Sequence, residues 1–145
     1  MIGEFLENTL RAAVPLGLSY VFALMIGLER GAAARRVGLR TFPLLSLGAC
    51  AYVLVAQKAF PIGSDAGSRV VQGLMTGIGF VGGGAILKRG TEIHGLASAA
   101  SLWNAGAVGF ACAIEHYGIA VLLALANLIT LHLFVPAGNE SHHRD

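Results

Sequence analysis

The chain is predicted to fold as an all-α, polytopic helical membrane protein with about five transmembrane helices, its N-terminus outside and its C-terminus cytoplasmic. Three observations predict this. Hydrophobic residues make up 55% of the 145 residues and charged residues only 12%, about half the charge of a soluble domain. A soluble surface built from so few charges stays largely apolar and invites association, whereas lipid solvates such a surface. Five apolar runs approach or meet the length of about 20 residues that a helix needs to cross a bilayer. The basic residues gather in alternate loops.

The elements follow in order. Residues 1–11 are set apart: Ile2, Phe5, Leu6 and Leu10 are spaced for one helical face, with Glu4, Glu7 and Asn8 elsewhere around it. That pattern fits a short interfacial helix and equally a frayed extension of the first span. The first span, Ala12 to Leu28, carries no charge, and Pro15 is expected in about its first turn. Glu4 and Glu7 ahead of it, and four more apolar runs after it, exclude a cleavable signal peptide. The second span is Phe42 to Phe60, with Pro43 expected in its first turn, where a missing N–H costs little. Lys58 near its end can snorkel to the interface, and Pro61 ends it. The third is Val70 to Leu87, the fourth Leu96 to Ile114 and the fifth Gly118 to Val135, followed by Pro136. Only Glu115-His116-Tyr117 separates the last two, which predicts a tight antiparallel pair. The transmembrane domain is therefore 12–135, and 136–145 is a polar tail with His142 and His143.

Orientation follows from the loop arginines and lysines. Arg30, Arg35, Arg36, Arg40, Lys88, Arg89 and Arg144 lie on one side of a five-span protein, against Arg11, Lys58 and Arg69 on the other. Seven against three puts the C-terminus in the cytoplasm, provided that Leu96–Asn104 is helix and not a re-entrant loop. The net charge of +2 does not point to nucleic acid. Cys50 and Cys112 have no pattern of a disulfide framework or zinc site and read as small buried hydrophobes. No acid lies inside an apolar core, and no nucleophile, acid–base pair or metal-ligand motif stands out, so no enzyme, cofactor or metal is expected.

Three features can carry function. The first is the run from Gly73 to Leu87, which holds Gly73, Gly77, Gly79, Gly82, Gly83 and Gly84. On a helix Gly73, Thr76, Gly77 and Gly84 share a face, and Gly73-x-x-x-Gly77 permits close helix approach. Three successive glycines cost roughly 3 kcal/mol of helix propensity relative to alanine, so Gly82–Gly84 reads either as close packing or as a break lining a pathway. The G-x-G-x-x-G at Gly77, Gly79 and Gly82 has no preceding strand and is no nucleotide site. The second feature is Ser98, Ser101 and Asn104, which recur every three residues within about a third of the helix circumference. They serve as inter-helix hydrogen-bonding groups or line a polar path facing the glycines. The third is Glu29 at the end of the first span and Arg40 at the start of the second, expected at similar depth as a cytoplasmic charge pair. Arg35 and Arg36 are expected to hold anionic lipid.

Together these stretches resemble the N-terminal membrane domain of the MgtC/SapB family. The resemblance rests on Gly27-Leu28-Glu29-Arg30, on Gly38-Leu39-Arg40-Thr41 leading into Leu44 to Ala49, on Gly77 to Leu87 and on Gly95 to Trp103. It covers about residues 10–135. The family motif usually has threonines where Ala97 and Ser98 stand here. The resemblance implies a bacterial inner-membrane protein with about five spans, linked to growth in low magnesium and, in pathogens, to survival in macrophages. Members were first named as magnesium transport proteins, and the family role implied is regulatory, including inhibition of the F-type ATP synthase. Long members carry a soluble C-terminal domain, whereas this chain runs only about ten residues past Val135.

The expected function is therefore a non-enzymatic regulator that contacts another integral membrane protein, or a second copy of itself, through helix faces. A channel or transporter for magnesium or another small solute is the alternative, resting on the triple glycine facing Ser98, Ser101 and Asn104.

Overall fold

The computed structural model describes residues 1–33, 38–61 and 63–133. Five helices and one small hairpin form among them: α1 (Ile2–Ala33), α2 (Gly38–Ala59), α3 (Asp65–Gly84), β1 (Leu87–Arg89), β2 (Glu92–His94), α4 (Leu96–Ala113) and α5 (Tyr117–Leu133). This is the architecture of an all-α polytopic membrane protein. By length and composition α1, α2 and α4 are apolar enough to cross a bilayer, and α5 is a shorter apolar helix. The fourth apolar run is unbroken helix from Leu96, not a re-entrant loop.

α1 is longer than its apolar run. Its 32 residues rise about 48 Å, well beyond a hydrocarbon core of about 30 Å. Two contacts with α2 set the depth. At one end Lys58 Nζ donates to Asn8 Oδ1 at 3.4 Å. At the other, a Cβ on Gly27 would stand 2.7 Å from the Gly38 carbonyl oxygen. Between these rungs α1 covers about 29 Å at 1.5 Å per residue, which matches the bilayer. The first two turns run on past the Lys58 rung as part of the same helix. Exposed Ile2, Phe5 and Leu6 lie along them, with exposed Leu10 on the other side of the rung, and Glu7 pairs with Arg11 at 2.7 Å.

Both prolines expected in a first turn lie deeper. Pro15 is inside α1 and Pro43 inside α2, because each helix begins several residues before its apolar run does. A proline there removes one i→i−4 bond, at about 3 kcal/mol in a helix interior. Pro15 frees the carbonyl of Arg11, an exposed residue one turn from the Lys58 rung, where water and headgroups can take up the bond.

α4 is the centre of the bundle and touches the other four helices. Its Leu102, Ala105, Val108, Ala111, Cys112 and Ala113 pack with Ala23 and Ile26 of α1, Phe42, Cys50 and Val53 of α2, and Ala120 and Ala124 of α5. Most of these side chains are small. Hydrophobic burial does not drive helices together in lipid, so close packing must, and small residues allow it. Gly109 brings α4 into backbone contact with the Ser46 carbonyl of α2, and Gly106 receives the Ile78 side chain of α3.

α3 ends at Gly84, three residues before the apolar run does. Ala85 and Ile86 close the last turn with short bonds to the Gly82 and Gly83 carbonyls, at 3.0 and 3.1 Å. The triple glycine is thus a helix terminus and not a break in mid-span. The chain then makes an antiparallel hairpin pairing Leu87 with His94 and Arg89 with Glu92. Its two-residue loop is Gly90-Thr91, with φ +62 at Gly90 alone, the pattern of a type II′ turn. Gly95, at φ +89, starts α4 against the Ala85 carbonyl, where a Cβ has no room. The hairpin was not expected; its signal was a Gly-Thr pair between alternating residues.

The tight α4–α5 connection is as expected. Glu115 adopts φ +60, its N–H bonds the Cys112 carbonyl at 3.0 Å, and the His116 N–H bonds the Ala111 carbonyl at 2.9 Å. This is a Schellman motif with glutamate where glycine is usual. The left-handed conformation costs an L-residue with a side chain about 1–2 kcal/mol. Glu115→Gly should therefore raise the thermal midpoint in detergent; an unchanged or lowered midpoint would show that the Glu115 side chain contributes more than the strain costs.

Candidate functional site

α3 packs chiefly on α4 and more lightly on α2. Only Ile78 and Gly82 of this helix are buried. Gly82 sits 3.4 Å, as a Cβ, from the Ala99 carbonyl oxygen of α4. On one flank α3 and α4 leave an apolar cleft walled by Leu74, Met75, Trp103 and Phe110. On the other, α2 and α3 leave an open groove lined by Leu44, Gly48, Tyr52, Gly73, Gly77 and Val81.

The glycines of the bundle fall into two groups. Gly27, Gly95, Gly106 and Gly109 are filled by a neighbour's backbone or side chain, so they serve the fold. Gly48, Gly73, Gly77, Gly79, Gly83 and Gly84 meet nothing within 4 Å of a Cβ position. Of the six glycines in the expected site, only Gly82 is used inside the protein. Gly48 is an addition; the groove pairs it with Gly73 and Gly77 across two helices, which the glycine content of α3 alone does not disclose.

The expected facing of the triple glycine and the polar face of α4 does not occur. α3 packs on the side of α4 that carries Ala99 and Gly106, whereas Ser101 and Asn104 lie on the opposite side of a helix turning 100° per residue. Ser101 is buried and its hydroxyl donates back to the Ala97 carbonyl at 2.8 Å. Ser98 is half-buried. Asn104 turns to α5, where its Nδ2 donates to Oδ1 of Asn127 at 3.0 Å. Asn127 is only 6% exposed, and its own Nδ2 has no partner.

This amide pair lies at mid-depth. Asn104 precedes Glu115 by 11 residues and Asn127 follows His116 by 11, so both stand about 17 Å below the turn. That symmetry was legible in the sequence once the turn was placed. A second orphan, the hydroxyl of fully buried Ser46, lies on α2, the residue whose carbonyl meets Gly109. Ser19 of α1 satisfies itself by donating to the Leu16 carbonyl at 2.8 Å.

At the opposite end from Lys58, α1 and α2 converge at Gly27 and Gly38, and Arg40 is exposed. The side chain of Glu29 lies outside the described residues, as do Arg35, Arg36 and the tail with His142 and His143. The expected Glu29–Arg40 pair is therefore neither formed nor broken in the described structure.

A glycine-laced bundle with a hydrogen-bonded amide pair at mid-depth and a helix only partly packed defines a polytopic membrane protein of the small-residue-packed kind. The chain belongs to the MgtC family: the family's sequence model matches residues 16–139. It is 30% identical over 141 residues to the Escherichia coli K12 protein named "Putative magnesium transporter YhiD", an alignment covering 92% of this chain and 62% of that one. It is 35% identical over 117 residues to Protein MgtC of Brucella abortus, covering 79% of this chain and 48% of the relative. Against Protein MgtC of Salmonella typhimurium it is 32% identical over 109 residues, covering 72% and 46%. The chain thus spans roughly half of the length of these relatives. No solved structure matches it.

The amide pair makes a sharp prediction. Inter-helix hydrogen bonds in membranes contribute about 0.6 kcal/mol on average and up to about 1.7, but an orphaned buried group costs more than the bond is worth. Asn104→Leu, which strands Oδ1 of Asn127 beside its already unpartnered Nδ2, should destabilise the protein more than Asn104→Leu combined with Asn127→Leu. Unfolding titrations in mixed micelles measure this; equal losses from single and double variants would refute it.

Proposed function

We propose that this protein is a magnesium-linked, non-enzymatic regulator in the bacterial inner membrane, oriented with its N-terminus outside. It acts by receiving a helix of another integral membrane protein, such as a subunit of the F-type ATP synthase, in the groove between α2 and α3. Family membership supports the magnesium link, through relatives whose names state it. The observation that carries the regulatory reading is the groove itself. Gly48, Gly73 and Gly77 line it and leave every Cβ position open. Glycines in an ordinary lipid-facing position sacrifice helix propensity, about 1 kcal/mol each, for nothing. At a helix–helix contact the same glycines bring backbones together and gain van der Waals contact.

The reading separates from transport by experiment. Gly77→Leu fills the groove without touching the α3–α4 seam at Ile78 and Gly82. It should abolish co-purification of the membrane partner from cells limited for magnesium while leaving the folded fraction unchanged. Retained capture with lost regulation would sink the groove as the docking surface. Cation flux into liposomes holding the purified protein alone, lost on Asn104→Leu, would favour a transporter instead.

A further inference from the structure

α3 carries a second open face, about a third of a turn round from its packed seam. Ile78 and Gly82 mark the inward side. Turning about 120° from there at 100° per residue brings up Asp65, Arg69, Gln72, Thr76, Gly79 and Gly83, all exposed. Their spacing alternates four and three residues along the whole helix. That is the 3.5-residue repeat of a helix–helix seam.

The chemistry of this stripe is wrong for lipid. Gln72 stands about 10 Å below the start of α3 and Thr76 about halfway along it, at depths where hydrocarbon offers no hydrogen bond. The Thr76 hydroxyl is satisfied by its own Gln72 carbonyl at 2.8 Å. The Gln72 side-chain amide makes no hydrogen bond among the described residues, and Asp65 and Arg69 form no ion pair there. These polar groups explain why α3, at 20 residues, is long enough to cross a membrane yet does not stand among the helices apolar enough to do so. Further along, Gly79 and Gly83 meet nothing within 4 Å and form a small-x-x-x-small step where a helix can approach closely.

We propose that this stripe is a homodimer seam, in which α3 packs in parallel against α3 of a second copy. The stripe fits itself. Two copies inserted alike in one bilayer meet about a two-fold axis along the membrane normal, so each residue faces its own counterpart or a near neighbour. Asp65 and Arg69 lie one turn apart, so each arginine reaches the carboxylate of the second copy and both charges are paired. Gln72 is both donor and acceptor, so two facing amides satisfy one another. Gly79 and Gly83 let the backbones close below them. This seam and the α2–α3 groove are different sides of α3, so a helix in the groove leaves the stripe free; the dimer does not depend on the function proposed above.

Single cysteines test the seam in the full chain in native membranes. Cys50 and Cys112 are fully buried and stay in place. Under mild oxidation Gln72→Cys, Thr76→Cys and Gly79→Cys should each yield a disulfide-linked dimer. Met75→Cys, in the α3–α4 cleft, and Val81→Cys, in the α2–α3 groove, should not. Dimer at every position alike, at none, or only adducts to another protein would overturn the proposal. A charge exchange gives a second readout. Asp65→Arg should shift the detergent-solubilised protein from dimer to monomer mass, and adding Arg69→Asp should restore the dimer. Failure of the exchange to restore it would likewise count against the seam.

Discussion

The bundle depends on how closely α4 lets its neighbours approach. Water would press helices together by removing apolar surface, but lipid tails are as apolar as leucine and provide no such force. What remains is van der Waals contact, which falls off within an ångström. α4 meets this constraint with Ala105, Gly106, Gly109, Ala111 and Ala113. Gly109 admits the backbone of α2 at Ser46, and Gly106 admits Ile78 of α3. A side chain at either glycine would push a whole helix outward, so the positions of α2 and α3 both follow from the absence of two Cβ atoms.

Close packing has a polar consequence. Helices that meet at backbone distance leave little room for a side-chain hydroxyl or amide to find a partner elsewhere. Ser19 and Ser101 resolve this by bonding back to their own helices. Asn104 and Asn127 resolve it across the α4–α5 seam. Ser46 and the Asn127 amide do not resolve it, and each sits on a helix facing α4. The polar groups are therefore placed by the same contacts that place the helices.

α3 is the exception to this shared packing. α1, α2, α4 and α5 share one core. α3 contributes two buried residues and turns Gly73, Gly77, Gly79, Gly83, Gly84 and most of its polar groups outward. Its two open faces differ in chemistry. The groove beside α2 is lined with glycine, leucine, tyrosine and valine, which suits an apolar helix. The outward stripe on its other flank carries Asp65, Arg69 and Gln72, which suits a face of matching polarity.

The sequence by itself determined the number of helices and the limits of α4, because a bilayer demands uninterrupted apolar runs and punctuates them with prolines, glycines and charges; α1, α2 and α3 begin four to ten residues before their apolar runs. The fourth run matches α4 to within one residue, and the Glu115-His116 turn even sets Asn104 and Asn127 at equal depth. Family membership was legible too, in Gly27–Arg30, Gly38–Thr41 and the glycine run of α3. The tertiary structure alone decided which face of each helix meets which neighbour. The glycines of α3 look alike along the chain, yet Gly82 packs on Ala99 while Gly73, Gly77, Gly79 and Gly83 stand open. Ser101 and Asn104 point away from α3 because a helix turns 100° per residue, and only the packing of α4 fixes the rotation about its axis.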